Sequence, residues 1–264
     1  SDACIVAKME RIGASPRLEE IVRASDAVMV ARGDLGVEVG YAQLTGLQKR
    51  ILHLARSLDR VTITATQMME SMIHSPVPTR AEVSDVANAV LDGSDAVMLS
   101  GESAVGKYPV RAIEAMAEVI AGAETYQFAS QRGRHRFEGR VAEFDQAIAH
   151  AVMFTANHMD VEAIVALTES GSTPLWMSRI RSDIPIFAFT RHERTQRRVA
   201  LYRGVHSISF DITHTEPEQL YRAISKELLD RGHVKPGDEL ILTLGELSGV
   251  SGGTNTMKLL RVEG

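Results

Sequence analysis

A single cysteine, Cys4, stands in 264 residues, which excludes an intramolecular disulfide framework and fits a reducing compartment. No apolar run approaches the roughly 20 residues that cross a bilayer. The first residues, Ser1-Asp2-Ala3-Cys4, have neither the basic lead nor the apolar core of a signal peptide. A basic excess is also missing: 29 Lys and Arg face 34 Asp and Glu, a formal charge of −5 with a pI near 6.0. Nucleic acid is therefore not an expected partner. There is no low-complexity tract and no short repeat. These absences describe a soluble, cytoplasmic chain. A strand pattern begins almost at residue 1, as in a chain cut from something larger.

What is present is 44% hydrophobic content, enough for one large domain or two ordinary ones. Up to about Gly122, short apolar strands at Cys4–Lys8, Ala27–Val30, Val61–Ala65 and Ala96–Leu99 alternate with helical patterns. The helices are expected at Arg17–Ala24, Gln43–Leu58, Thr79–Leu91 and Val110–Ile120, the third opened by a capping box, Thr79-Arg80-Ala81-Glu82. In the second, Leu44, Leu47, Ile51, Leu54 and Leu58 fall at helical spacing. Short strands joined by helical crossovers imply a parallel sheet covered by helices. Four such units suit half of an eightfold barrel or a small open sheet. Polar residues gathered at the carboxyl ends of the strands favour the barrel.

Residues 123–143 are charged and aperiodic and read as a linker. A second α/β run fills 144–264, with a helix from Phe144 to about Thr155 and strands at Ala163–Leu167, Ile186–Phe189, His206–Ser209, Glu239–Leu244 and Thr256–Val262. Its remaining helices are expected near Pro174–Ile180, Thr195–Leu201 and Glu218–Leu229.

Five stretches carry candidate chemistry. Ala31-Arg32-Gly33-Asp34-Leu35-Gly36 follows the second strand and places the Asp34 carboxylate between glycines, where the backbone can approach a ligand. One strand earlier, Lys8-Met9-Glu10 puts Lys8 and Glu10 on one side of the strand end. Two hard oxygen donors beside a lysine suit a divalent cation and a phosphate; the same residues would equally form an ordinary strand-end ion pair. Thr66, after the third strand, offers a hydroxyl to a substrate carboxylate or a proton relay, or caps a helix starting at Gln67. Thr168-Glu169-Ser170-Gly171-Ser172-Thr173-Pro174 joins a strand to a helix, with Thr173 as its N-cap and a hydroxyl-rich phosphate cradle in front of it. Gly245–Gly253 holds four glycines in nine residues, a loop that can close on a ligand or simply connect two strands. The scattered histidines are assigned no role, and the methionines are read as packing.

Taken in order, these motifs resemble the C-terminal portion of a pyruvate kinase. The matching stretches are Ala7–Glu10, Ala31–Gly36, Ala65–Met72, Pro78–Glu82, Asp85–Gly93, Met98–Glu102 and the run from Thr168 to the end. Ala166–Gly171 and Arg191–Thr195 are most similar to the bacterial type, while Met9 stands where isoleucine is common in the family. The resemblance implies the second half of a TIM (β/α)8 barrel over residues 1–122 and a separate α/β effector domain over 144–264. It implies phosphoryl transfer from phosphoenolpyruvate to ADP, giving pyruvate and ATP. Glu10 and Asp34 would hold Mg²⁺ or Mn²⁺, Lys8 would stabilise the phosphoryl group in flight, and amides around Gly33 and Asp34 would grip the substrate carboxylate. Thr66 would assist there and in protonating the enolate. Thr168, Glu169, Ser170, Gly171, Ser172 and Thr173, with Gly249 and Gly252 of the glycine loop, would bind a sugar phosphate or nucleotide effector. Family members are usually homotetramers.

The first half-barrel, the lid domain and the K⁺ ligands of the family have no counterpart in these residues, so the chain by itself is expected to be incomplete for catalysis. The competing expectation is a non-catalytic module that only binds phosphorylated ligands.

Overall fold

The computed structural model describes residues 3–131, 141, 143–211, 217–245 and 253–263. The chain divides into two compact units, Ser1–Ser130 and Gln131–Gly264.

In the first unit four strands, β1 (Val6–Met9), β2 (Ala27–Ala31), β3 (Val61–Ala65) and β4 (Ala96–Met98), lie side by side in chain order, all parallel. The connections carry α1 (Leu18–Arg23), α2 (Arg32–Val39), α3 (Tyr41–Ser57) and α4 (Arg80–Leu91). After β4 come α5 (Gly101–Ala104) and α6 (Pro109–Gln131). Met9, Val28 and Val30 share one face of the pleat and are buried against Leu18 and Val22 of α1 and Ile51, Leu52 and Ala55 of α3. Val97, on the same face, packs with Val86 and Ala89 of α4 and Ala112, Ala115 and Met116 of α6. The helices of both clusters thus lie on one face. On the other, Val6 is 42% exposed and Met29, Ala96 and Met98 are half-buried, while Ala27, Ala31, Val61, Ile63 and Ala65 in the middle strands are buried. Helices on a single side and an unbroken strand order are what a barrel wall has and a doubly wound sheet lacks.

Several expectations shift here. An unforeseen helix, α2, occupies the Arg-Gly-Asp segment, since glycines at 33 and 36 leave no apolar stripe to betray it. In α3 the most buried positions are Gln48, Ile51, Leu52 and Ala55, with Leu44, Leu47 and Leu54 half-buried at the flanks. Helix α6 continues to Gln131, so residues 123–131 are helical where a linker was expected; residues 132–140 and 142 lie outside the described residues.

The second unit has a five-stranded sheet of order β7-β6-β5-β8-β9. Its strands are β5 (Ala163–Leu167), β6 (Ile186–Thr190), β7 (Val205–Ser209), β8 (Glu239–Gly245) and β9 (Thr254–Arg261), the last antiparallel to β8. Helix α10 (Pro217–Asp230) buries Leu220, Ile224 and Leu228 against one face, with Val165, Phe187, Phe189 and Leu242. Helices α7 (Phe144–Ala156), α8 (Ser172–Ser178) and α9 (Glu193–Val199) complete the unit. The chain leaves β5 toward β6 on one side and returns to β8 on the other. The carboxyl ends of β5 and β8 therefore flank a topological switch point, where open α/β sheets form ligand crevices.

Candidate active site

Parallel pairing aligns Lys8 with Met29 and brings the ends of β1 and β2 together. Lys8 Nζ contacts the Glu10 carboxylate and lies 3.5 Å from Asp34 Oδ2. The three side chains foreseen at neighbouring strand ends are thus brought together, Asp34 by the first turn of α2 and Glu10 by the parity of the residue after β1. All three are solvent-accessible, at 51% for Lys8, 36% for Glu10 and 65% for Asp34. The hydrogen bond to Glu10 is the largest influence on the Lys8 ammonium and, with the charges of Glu10 and Asp34, outweighs desolvation and holds it above its ordinary pKa. Lys8 is therefore a fixed positive charge at neutral pH. Among the described residues no group of three or more His, Cys, Asp or Glu could hold a metal. Two carboxylates are nevertheless a fitting set for Mg²⁺ or Mn²⁺, hard cations that keep waters and substrate oxygens as their other ligands.

Thr66 does not cap a helix. The backbone turns left-handed at Thr66 (φ 68°) and Gln67 (φ 56°), and the short 3-10 turn begins only at Glu70. Two consecutive left-handed non-glycine residues cost of order 1–2 kcal/mol each, so something must hold them. The Thr66 hydroxyl accepts from the Gly33 amide at 2.8 Å and donates to the Ala65 carbonyl at 2.7 Å. Arg32, 6% exposed, donates to the Thr66 carbonyl at 2.8 Å and the Gln67 carbonyl at 3.1 Å, and pairs with Asp85 of α4 at 2.5 Å. Downstream, Glu82 accepts from Ser71 N at 2.7 Å and from the Ser71 hydroxyl at 2.6 Å while closing the capping box with Thr79. The Glu102 carboxylate, 2% exposed, accepts from the amides of Met69 at 3.0 Å and Ser100 at 2.7 Å. Arg32, Asp85 and Glu102 were not legible as site residues, because their partners lie 30 or more positions away, save Ser100, and no spacing encodes that.

In the second unit the segment after β5 is ordered by its own hydroxyls. Gly171 N donates to Thr168 Oγ1 at 2.9 Å, and the Ser170 and Ser172 hydroxyls are 3.1 Å apart. Gly171, not Thr173, is the N-cap of α8, in a left-handed conformation (φ 84°) where a Cβ would meet Val199 Cγ1 at 2.9 Å. Thr173 is buried and shares a 2.7 Å hydrogen bond with the Thr254 hydroxyl, so its oxygen faces β9 rather than a ligand. The Glu169 carboxylate is in contact with His192 Nε2 and 3.5 Å from Arg191, a pairing the scattered histidines had not suggested. Gly249 and Gly252 lie outside the described residues. At the loop's edges Gly245 passes so close to Gly253 that a Cβ would meet its carbonyl oxygen at 2.5 Å. Elsewhere a cleft of about 620 Å³ lies between α10 and β9; its cations Arg222, Lys226 and Arg261 are each met by a carboxylate.

The family description "Pyruvate kinase, barrel domain" matches residues 1–113, and "Pyruvate kinase, alpha/beta domain" matches residues 146–260. The chain belongs to the pyruvate kinase family. It is 50% identical over 266 aligned positions to a pyruvate kinase of Buchnera aphidicola subsp. Baizongia pistaciae and, to the same degree, to pyruvate kinase II of Salmonella typhimurium. Each alignment covers 99% of this chain and 55% of the relative. A crystal structure of a pyruvate kinase from Cryptosporidium parvum superposes with a TM-score of 0.88 at 34% identity, covering 99% of this chain and 52% of that one. The chain thus spans about half the length of the pyruvate kinases it matches. No helix among the described residues is long and apolar enough to cross a membrane.

Proposed function

We propose that these residues are the C-terminal part of a pyruvate kinase of the bacterial type, which transfers the phosphoryl group of phosphoenolpyruvate to ADP, giving pyruvate and ATP. The observation that carries this reading is the Lys8 ammonium held between Glu10 and Asp34 at the ends of adjacent parallel strands. In the reaction the enol oxygen–phosphorus bond breaks, a terminal oxygen of ADP bonds to phosphorus, and the enolate left behind takes a proton on its methylene carbon. Lys8, protonated throughout the neutral range, neutralises the charge that spreads over the phosphoryl oxygens during transfer. Glu10 and Asp34 would hold Mg²⁺ or Mn²⁺, which when bound supplies further positive charge to the phosphoryl oxygens.

Gly33 and Asp34 would orient the substrate carboxylate. The Gly33 amide is already given to Thr66, so the Asp34 N–H, third in α2 and thus without an acceptor inside the helix, is the better donor. Thr66 would bring its hydroxyl to the enolate side; its O–H now donates to the Ala65 carbonyl and must rotate away from it before the proton can be passed on.

Helix clusters on one face only and two outer strands, β1 and β4, that expose Val6 and leave Ala96 and Met98 half-buried support a role as half of an eight-stranded barrel. The other half would bring the K⁺ ligands and close the barrel interior. Residues 144–264 would form the effector domain. Thr168–Ser172, at the carboxyl end of β5, and the loop that follows β8 with Gly249 and Gly252 would receive a sugar phosphate or nucleotide, the Thr173 hydroxyl being held by Thr254. The assembly would be a homotetramer in the cytoplasm.

A coupled assay of ATP formation from phosphoenolpyruvate and ADP tests the reading in a full-length enzyme carrying these residues. Lys8→Met should lower turnover by about a thousandfold, the scale of losing one charge aimed at the transition state. Turnover within a few-fold of the parent would reject it.

A further inference from the structure

We propose that Arg32 is a positioning residue of the candidate active site. It clamps the left-handed turn that presents Thr66, an inference that rests on the proposed role of Thr66. Arg32 and Gly33 are successive residues of the first turn of α2, yet they grip opposite sides of the same threonine. Gly33 gives its amide to the hydroxyl at 2.8 Å. Arg32 takes the carbonyl side: Nη2 donates to Thr66 O at 2.8 Å and Gln67 O at 3.1 Å, with Nε 3.3 Å from Thr66 O. Nη2 also lies 3.0 Å from the Met68 sulfur, so three consecutive residues converge on one guanidinium.

The left-handed backbone at Thr66 and Gln67 is what turns two neighbouring carbonyls toward the same cation. A guanidinium buried to this degree needs a counter-charge, and Asp85 on α4 supplies it at 2.5 Å through Nη1. The fork geometry is essential. A lysine could meet one of these acceptors but not two carbonyls, a sulfur and a carboxylate set around a plane. Arg32 does not touch the Lys8–Glu10–Asp34 group in this arrangement. It acts through the place of the Thr66 hydroxyl.

Arg32→Lys and Asp85→Asn are the variants, each read in two ways. The first is hydrogen exchange of the Gly33 amide by NMR on the 264-residue chain, with the Val28 and Val30 amides of β2 as internal references. Loss of the clamp should speed Gly33 exchange at least tenfold in both variants and leave the references unchanged. Equal protection of Gly33 in parent and variants overturns the clamp, whatever the activity.

The second reading is steady-state kinetics in the full-length enzyme. Arg32→Lys should lower kcat by about 10- to 100-fold, a typical loss for a misplaced reacting group, with KM for phosphoenolpyruvate changed less than about threefold. In a Thr66→Val background the same change should add less than about threefold, because the hydroxyl it positions is gone. A purely structural role would instead multiply the two losses, and that result refutes positioning. If Gly33 exchange responds but Thr66→Val leaves kcat intact, the clamp stands and the catalytic reading of Thr66 falls.

Discussion

Glu82→Gln probes how the Thr66 segment is tied to α4. Four donors meet this carboxylate: Ser71 N on Oε1 at 2.7 Å, and Ser71 Oγ, Thr79 N and Thr79 Oγ1 on Oε2 at 2.6, 2.7 and 2.8 Å. An amide keeps Oε1 and its bond but puts an NH2 group where three donors converge. The two hydroxyls can rotate to accept from it; the Thr79 backbone N–H cannot. The loss is one charge-assisted bond, part of the capping box and the charge in the rest, about 2 kcal/mol in all. Urea unfolding followed by far-UV circular dichroism is the appropriate assay, because the one tryptophan, Trp176, lies in the other unit.

The pH dependence of that difference is a second, stricter check. Burial pushes the Glu82 carboxyl up, but the hydrogen bonds from Ser71 and Thr79 outweigh it and hold the group below its ordinary value of 4.5. The folded state therefore binds fewer protons than the unfolded chain near that pH, and the stabilisation is fully present above it. It is lost as pH falls through the lower folded value, where protonated Glu82 offers little more than glutamine. The gap between parent and variant should shrink toward zero under acid conditions. A gap under about 0.5 kcal/mol at pH 7, or one that stays constant from neutral to acid pH, would refute the tether.

Gly171→Ala forces a Cβ into a left-handed position against Val199 Cγ1 and should cost the second unit about 2 kcal/mol by Trp176 fluorescence. Adding Val199→Ala should recover only the steric part, judged against Val199→Ala alone. Thr173→Val leaves the buried Thr254 hydroxyl without its partner and should destabilise the same unit by about 1–3 kcal/mol, read by the same fluorescence; no loss would mean that the hydroxyl pair is not worth its burial.

Local rules carried far where the pattern is periodic. The strands β3 and β5 stand where alternating or continuous apolar runs placed them. The Thr79–Glu82 signature opens α4 as a full capping box. Lys8, Glu10 and Asp34 were legible together because strand parity and a strand-end position are short-range facts. What escaped depends on distant partners. Threonine is a good N-cap in isolation, yet Thr66 is drawn into a left-handed turn by Arg32 and Gly33, more than 30 residues upstream. Thr173 loses the cap to the left-handed Gly171, its own hydroxyl being bound to Thr254, 81 residues downstream. Helix α2 escaped because its Arg-Gly-Asp-Leu-Gly stretch has poor helix formers and is held by tertiary contacts instead.

The most direct test of the central claim is Mn²⁺ binding to the 264-residue chain, read by water-proton relaxation for the parent and for Glu10→Gln, Asp34→Asn and Lys8→Met. Each carboxamide variant should weaken binding by about tenfold or more, as a hard anionic ligand is lost. Lys8→Met should move the other way and tighten binding about five- to tenfold, because the ammonium that now occupies both carboxylates is a like charge a few ångströms from the ion. Binding that is indifferent to all three substitutions would contradict the assignment of this lysine and its two carboxylates as a metal-dependent phosphoryl-transfer centre.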